Sequence, residues 1–173
     1  MKKSIIGMFT VAAVVAGVVS CKKEEQTPRE AGSATVKGMV EVNSNLANDT
    51  LSDGSYDLKW ENVPSGTKLT FIIDGYDLDP NPDPSFNYKK ELYSTSVGSD
   101  GSYSVSLPAY ETPITADVRF DDIEVDVIDY GTDPADTTAN GNPATVTTRT
   151  TFSHPNTSVT IYNGAVIVED FQY

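Results

Sequence analysis

Oxygen-bearing side chains alternate with stiffening prolines in Asp77-Leu78-Asp79-Pro80-Asn81-Pro82-Asp83, and Asp74 stands just before them. Asp77, Asp79, Asn81 and Asp83 are hard oxygen donors at a two-residue period, the donor type that suits calcium rather than copper or structural zinc. Curling the segment would bring the four onto one cation. Prolines at 80, 82 and 84 oppose that curl, because a fixed φ favours an extended run. The segment is therefore read as an acidic, proline-stiffened connection, with a weak calcium loop as the alternative. Aromatic residues flank it. Tyr76, Phe86 and Tyr88 are the candidate ligand-binding platform, since a ring face can lie against a sugar or peptide while nearby carboxylates accept hydrogen bonds from hydroxyls.

The donor spacing resembles the first four ligand positions of an EF-hand, but Pro82 stands where that motif needs glycine and Tyr88 where it needs a terminal glutamate. Other chemistry is thinner. His154 is the only histidine and Cys21 the only cysteine, so no zinc cluster can be assembled. His154 lies in Ser153-His154-Pro155-Asn156 and reads as a turn residue. There is no GxSxG, and a Ser-His-Asp triad drawn from distant residues is unconstrained by any local pattern. A glycosidase would need two carboxylates of unequal proton affinity across a cleft, and no feature selects a pair. No catalytic residue is assigned; a carboxylate-dependent glycan hydrolase is the enzymatic alternative.

Met1-Lys2-Lys3 leads into an apolar run that ends in Val18-Val19-Ser20-Cys21. A basic start, an apolar stretch too short to span a bilayer comfortably and small or branched residues before a cysteine form a secretory signal. Val-Val-Ser-Cys resembles the lipobox of bacterial lipoproteins. The resemblance implies a signal peptide at 1–20, lipidation of Cys21, and attachment to the membrane through that N-terminal lipid. Residues 21–34 lack apolar periodicity and read as a flexible tether. Within them Lys23-Glu24-Glu25 is similar to the sorting pattern of lipoproteins displayed by Bacteroidetes, which implies an outer-membrane, surface-exposed location. Asp49-Thr50-Leu51 and Asp136-Thr137-Thr138 resemble the O-glycosylation signal of the same group, which makes Thr50 and Thr137 candidate acceptors.

The formal net charge of −13 constrains partners. Removing the signal takes two lysines and no acid, so the exported chain is more acidic still. Such a surface repels phosphate backbones and anionic headgroups, so no nucleic-acid partner is expected. It leaves envelope proteins and glycans as candidates.

From residue 35 the apolar period is two. Val36, Gly38, Val40 and Val42 share one face, and Leu69, Phe71 and Ile73 another. Tyr103, Val105 and Leu107 oppose a serine-rich face, and Pro108 argues against continuation as a central strand. Tyr56, Leu58 and Trp60 form a further alternating set, and a weaker strand is expected over 86–97. Val118 and Phe120 have opposite parity to Ile123, Val125 and Val127, which calls for a bulge or a turn between them. Residues 129–143 form a polar loop. Val159, Ile161, Val166 and Val168 surround Asn163-Gly164 as a terminal strand or hairpin. Trp60, Phe71 and Phe120 are expected in the core. The pattern predicts an all-β antiparallel two-sheet sandwich of about seven or eight strands, one domain over 35–173, elaborated after 128.

Val36-Lys37-Gly38-Met39-Val40 and Asp100-Gly101-Ser102-Tyr103-Ser104-Val105 resemble the first strand and central turn-strand of prealbumin-like domains, including carboxypeptidase-regulatory-like and transthyretin-like modules. That resemblance implies a noncatalytic surface module for binding or assembly. A carbohydrate-binding module is the alternative that the exposed aromatics add.

Overall fold

The computed structural model describes residues 31–44, 57, 59–130 and 145–173. Cys21, Thr50, Thr137, the signal and most of the tether lie outside them. The strands are β1 (Gly32–Val42), β2 (Glu61–Asn62), β3 (Lys68–Asp74), β4 (Lys90–Ser96), β5 (Ser102–Ala109), β6 (Ile114–Phe120), β7 (Ile123–Tyr130), β8 (Thr145–Phe152), β9 (Thr157–Ile161), β10 (Val166–Val168) and β11 (Phe171–Gln172).

Alternation puts Ala34, Val36, Val40 and Val42 of β1 inside while Lys37 is exposed. β1 is the hub of a five-stranded sheet. It pairs antiparallel with β5 from Gly32↔Ala109 to Met39↔Ser102 and with β2 at its far end. β10 and β11 pair with it in parallel. The facing sheet runs β4-β3-β6-β9 and is antiparallel throughout. Leu69, Phe71, Ile73, Val118 and Ile161 of that sheet share one buried cluster with Val36, Val40, Tyr103 and Leu107 of the other. Phe71 and Tyr103 stack across the gap with centroids 6.3 Å apart. Each fully buried aliphatic or aromatic side chain here contributes about 1.5–3 kcal/mol by leaving water.

The architecture is thus all-β and sandwich-like, with eleven strands in three sheets among the described residues instead of a two-sheet prealbumin-like sandwich of seven or eight. The third sheet is the ribbon β7–β8. The parity break at Asp121-Asp122 is a turn between strands of different sheets, so β7 does not continue β6. Ile123 is buried and Phe152 packs on the core at the root of the ribbon, which ties it to the sandwich. Arg149 lies 3.1 Å from Asp126 and 3.6 Å from Glu124, an exposed set that adds little stability.

The Asn163-Gly164 turn also departs from expectation. It does not close a hairpin; it carries the chain from β9 in one sheet to β10 in the other. Its polar groups bond outward: the Asn163 amide donates to Tyr110 O, the Gly164 amide to Ser33 O, and Asn163 Oδ1 accepts from the Ser33 amide. This crossing is why β10 meets β1 in parallel. Between β10 and β11 the backbone presses on β1 at Gly38, where a Cβ would stand 1.9 Å from Glu169 O. Only glycine allows that approach.

Pro108 lies inside β5, opposite Ser33. β5 pairs with β1 on one side, so the missing N–H falls on its open edge. Trp60 is 39% exposed and not core, while Phe120 packs on the core beneath His154, Phe171 and Tyr173. β1 begins at Gly32, so the end of the expected tether is already strand.

Candidate ligand-binding site

The connection from β3 to β4 spans residues 75–89 and is built from successive turns. Asp74 Oδ1 accepts from the Tyr76 amide, and the amides of Asp77, Leu78 and Asp79 bond back to the carbonyls of Asp74, Gly75 and Tyr76. Asx turns follow, as aspartate favours. Asp79 Oδ1 accepts from the Asn81 amide at 2.9 Å, and Asp83 Oδ1 accepts from the Ser85 amide at 2.8 Å and its hydroxyl at 2.7 Å. Gly75 closes the base by donating to Lys89 O, so near that a Cβ would meet this oxygen at 2.5 Å.

Tyr88 locks the loop. Its hydroxyl donates to Asp79 Oδ2 at 2.7 Å and accepts from the Asp83 amide at 2.9 Å. Bonds from the Asn81 amide and then from Tyr88 hold the Asp79 carboxyl below its ordinary range. The Ser85 hydroxyl and amide do the same for Asp83. On Tyr88 the Asp83 amide favours the phenolate, but the bond to Asp79, desolvation and the two carboxylate charges outweigh it and raise the phenol. Both aspartates shift away from the proton affinity a general acid needs.

These bonds spend the carboxylates on the chain itself. Among the described residues no three His, Cys, Asp or Glu side chains cluster so as to hold a metal ion. Asp77, Asp79 and Asp83 are therefore not gathered as such a group, and Asx turns tie Asp79 and Asp83 to backbone amides two residues on.

The aromatic expectation fares differently. Tyr76 and Tyr88 meet edge to face with centroids 5.5 Å apart, and Phe86 meets Tyr88 the same way at 4.8 Å. Phe86 remains 64% exposed and Tyr76 41%, so the cluster keeps open ring surface. On one side is a hollow of about 470 Å³ bordered by Phe86, Tyr88, Tyr93, Tyr110, Lys89 and Glu91. A second, of about 290 Å³, is bordered by Tyr76, Asp77, Asp79, Tyr110 and Ile114. Tyr110 touches both, and its hydroxyl donates to Leu78 O at 2.8 Å, tying the loop to the β5–β6 connection. Desolvation and then Glu91 raise the Tyr93 phenol.

No family model matches the chain, and the search of curated proteins gives no match. Solved structures resemble it slightly, two of them as follows. One is a provisional carbohydrate-binding protein from Pseudomonas aeruginosa, with 11% identity and a TM-score of 0.38 over 84% of this chain and 92% of that one. The other is the major plantain pollen allergen Pla l 1, with 15% identity and a TM-score of 0.30 over 82% and 94%. Likenesses this slight bear on neither the site nor its ligand.

Tyr110 carries no sequence signal of its role. It follows β5 with nothing local to mark it beyond its ring, and only the return of the chain beside residues 75–89 brings it to the site. Trp60 borders neither hollow.

Proposed function

We propose that the chain is a noncatalytic binding module whose aromatic hollows take carbohydrate, exported and held at the outer membrane by lipid on Cys21. The observation that carries the binding reading is the grouping of Phe86, Tyr88 and Tyr110 around one concave surface while Phe86 stays open to solvent. Sugars present apolar C–H faces and a rim of hydroxyls. Ring faces suit the first, and the carboxylates of Glu91 and Asp77 suit the second. The locked Tyr88 gives the surface its shape before a ligand arrives, which reduces the ordering cost of binding.

A glycan array probed with purified protein and with Phe86→Ala tests this. Binding of a defined glycan set that falls a few-fold to about tenfold in the variant supports the reading. Hydrolysis of a bound glycan would replace it with the hydrolase alternative. For lipid attachment, Cys21→Ser should abolish membrane fractionation, and unchanged fractionation would remove the anchor from the account.

A second reading is assembly through a strand edge. β10 carries Val166 and Val168 at 62% and 64% exposure, and its described pairing is with β1. Self-association in sedimentation that Val168→Lys abolishes would favour it.

A further inference from the structure

The two hollows are joined in a way that bears on ligand length. Tyr110 borders both, and Tyr76 of the smaller hollow meets Tyr88 of the larger at 5.5 Å, with ring planes at 89°. Perpendicular rings turn different surfaces to the two sides. One aromatic pair thus links the lining of one concavity to that of the other. The divide is preorganised, because Tyr88 is fixed by Asp79 and Asp83 and Tyr110 is fixed to Leu78 O.

We propose that the hollows are consecutive subsites for one neutral glycan chain, with Tyr110 as their common border; this rests on the carbohydrate reading above. A chain seated in both gains its second contact intramolecularly, so affinity should climb steeply with length until both are filled and then level. Charge selects the class. Asp77 and Asp79 border the smaller hollow, Lys89 is set against Glu91 in the larger, and the chain as a whole carries −13. Uronate or sulfated chains would meet like charge over the smaller hollow, and a neutral chain would not.

The test is calorimetric titration of the purified protein with gluco-, manno- and N-acetylglucosamine oligosaccharides from monosaccharide to hexasaccharide, beside oligogalacturonides of matched length. Wild type, Tyr76→Ala and Phe86→Ala are compared, with thermal unfolding confirming that each variant folds. One neutral series should tighten by about tenfold or more between monosaccharide and tetrasaccharide and then level. Tyr76→Ala should flatten that climb, and Phe86→Ala should weaken every length. Affinity independent of length, or long-chain binding untouched by Tyr76→Ala but weakened by Phe86→Ala, overturns the paired subsites and leaves the carbohydrate reading standing. Oligogalacturonides that bind as tightly as neutral chains overturn the charge selection. No binding in any series overturns the inference and the carbohydrate reading together.

Discussion

Tyr88 donates its phenolic proton to Asp79 Oδ2 at 2.7 Å, joining residues nine apart along the chain and fixing the loop that carries Tyr76 and Phe86. The same phenolic oxygen accepts from the Asp83 amide, so one side chain holds both flanks of the proline-stiffened segment. A second tie, from the Tyr110 hydroxyl to Leu78 O, fastens the same loop to the β5–β6 connection.

Tyr88→Phe should keep the aromatic cluster and lose the brace. Amide exchange at Asp83 should quicken markedly, while the midpoint of global unfolding barely moves, since the loop lies outside the core. Unchanged protection at Asp83 in a hydrogen-exchange measurement would show that the brace does not order the loop.

Acid should weaken the same loop. Asp79 and Asp83 are held below the ordinary 3.8 by bonds from Asn81 and Tyr88, and from Ser85. A carboxylate with a depressed folded value contributes stability that is present above its unfolded value and is lost as pH falls through the folded one. Amide protection factors within residues 79–85 should fall below pH about 4, and Asp79→Asn should make that fall shallower.

The alternating faces are legible in the order of residues alone. Val36, Val40 and Val42, then Leu69, Phe71 and Ile73, then Tyr103 and Leu107 are buried as their two-residue period requires. Partner choice is not legible, because period two tells which face a residue joins and not which strand lies beside it. Hence β9 and β10, a plausible hairpin about Asn163-Gly164, belong to different sheets. Pro108 bars a place between two paired strands and not a strand as such, so β5 runs through it while paired with β1. In the site, Tyr76, Phe86 and Tyr88 are readable from their closeness in sequence to the acidic segment. Tyr110 is not, since its neighbourhood comes from the fold alone.

Alkali should act at the other end of the sandwich. Burial, then the charges of Asp121 and Asp122, push the Tyr173 phenol up to about 12, and its hydroxyl donates to Asp121 O at 2.6 Å. A raised folded value contributes stability that is present below the unfolded value near 10 and is lost as pH rises through the folded one. Unfolding followed by phenol absorbance should therefore show stability falling between pH 10 and about 12, less so in Tyr173→Phe.

Gly38→Ala tests the parallel join. Its Cβ would fall 1.9 Å from the backbone oxygen of Glu169, which no side-chain rotation can relieve. Chemical denaturation should show a loss of about 1–3 kcal/mol, the usual cost of overpacking, and an unaltered midpoint would mean that β10 and β11 do not press on β1 as described.

The most direct test of the central claim is to map a bound neutral oligosaccharide onto the protein by amide chemical-shift changes. Carbohydrate binding in the aromatic hollows predicts shifts concentrated at residues 75–89 and at Tyr110, fading in Phe86→Ala. Shifts centred elsewhere, for example on the polar hollow of Asp117, Arg119 and Asn156 beside β9, or none at all with saturating sugar, would contradict it.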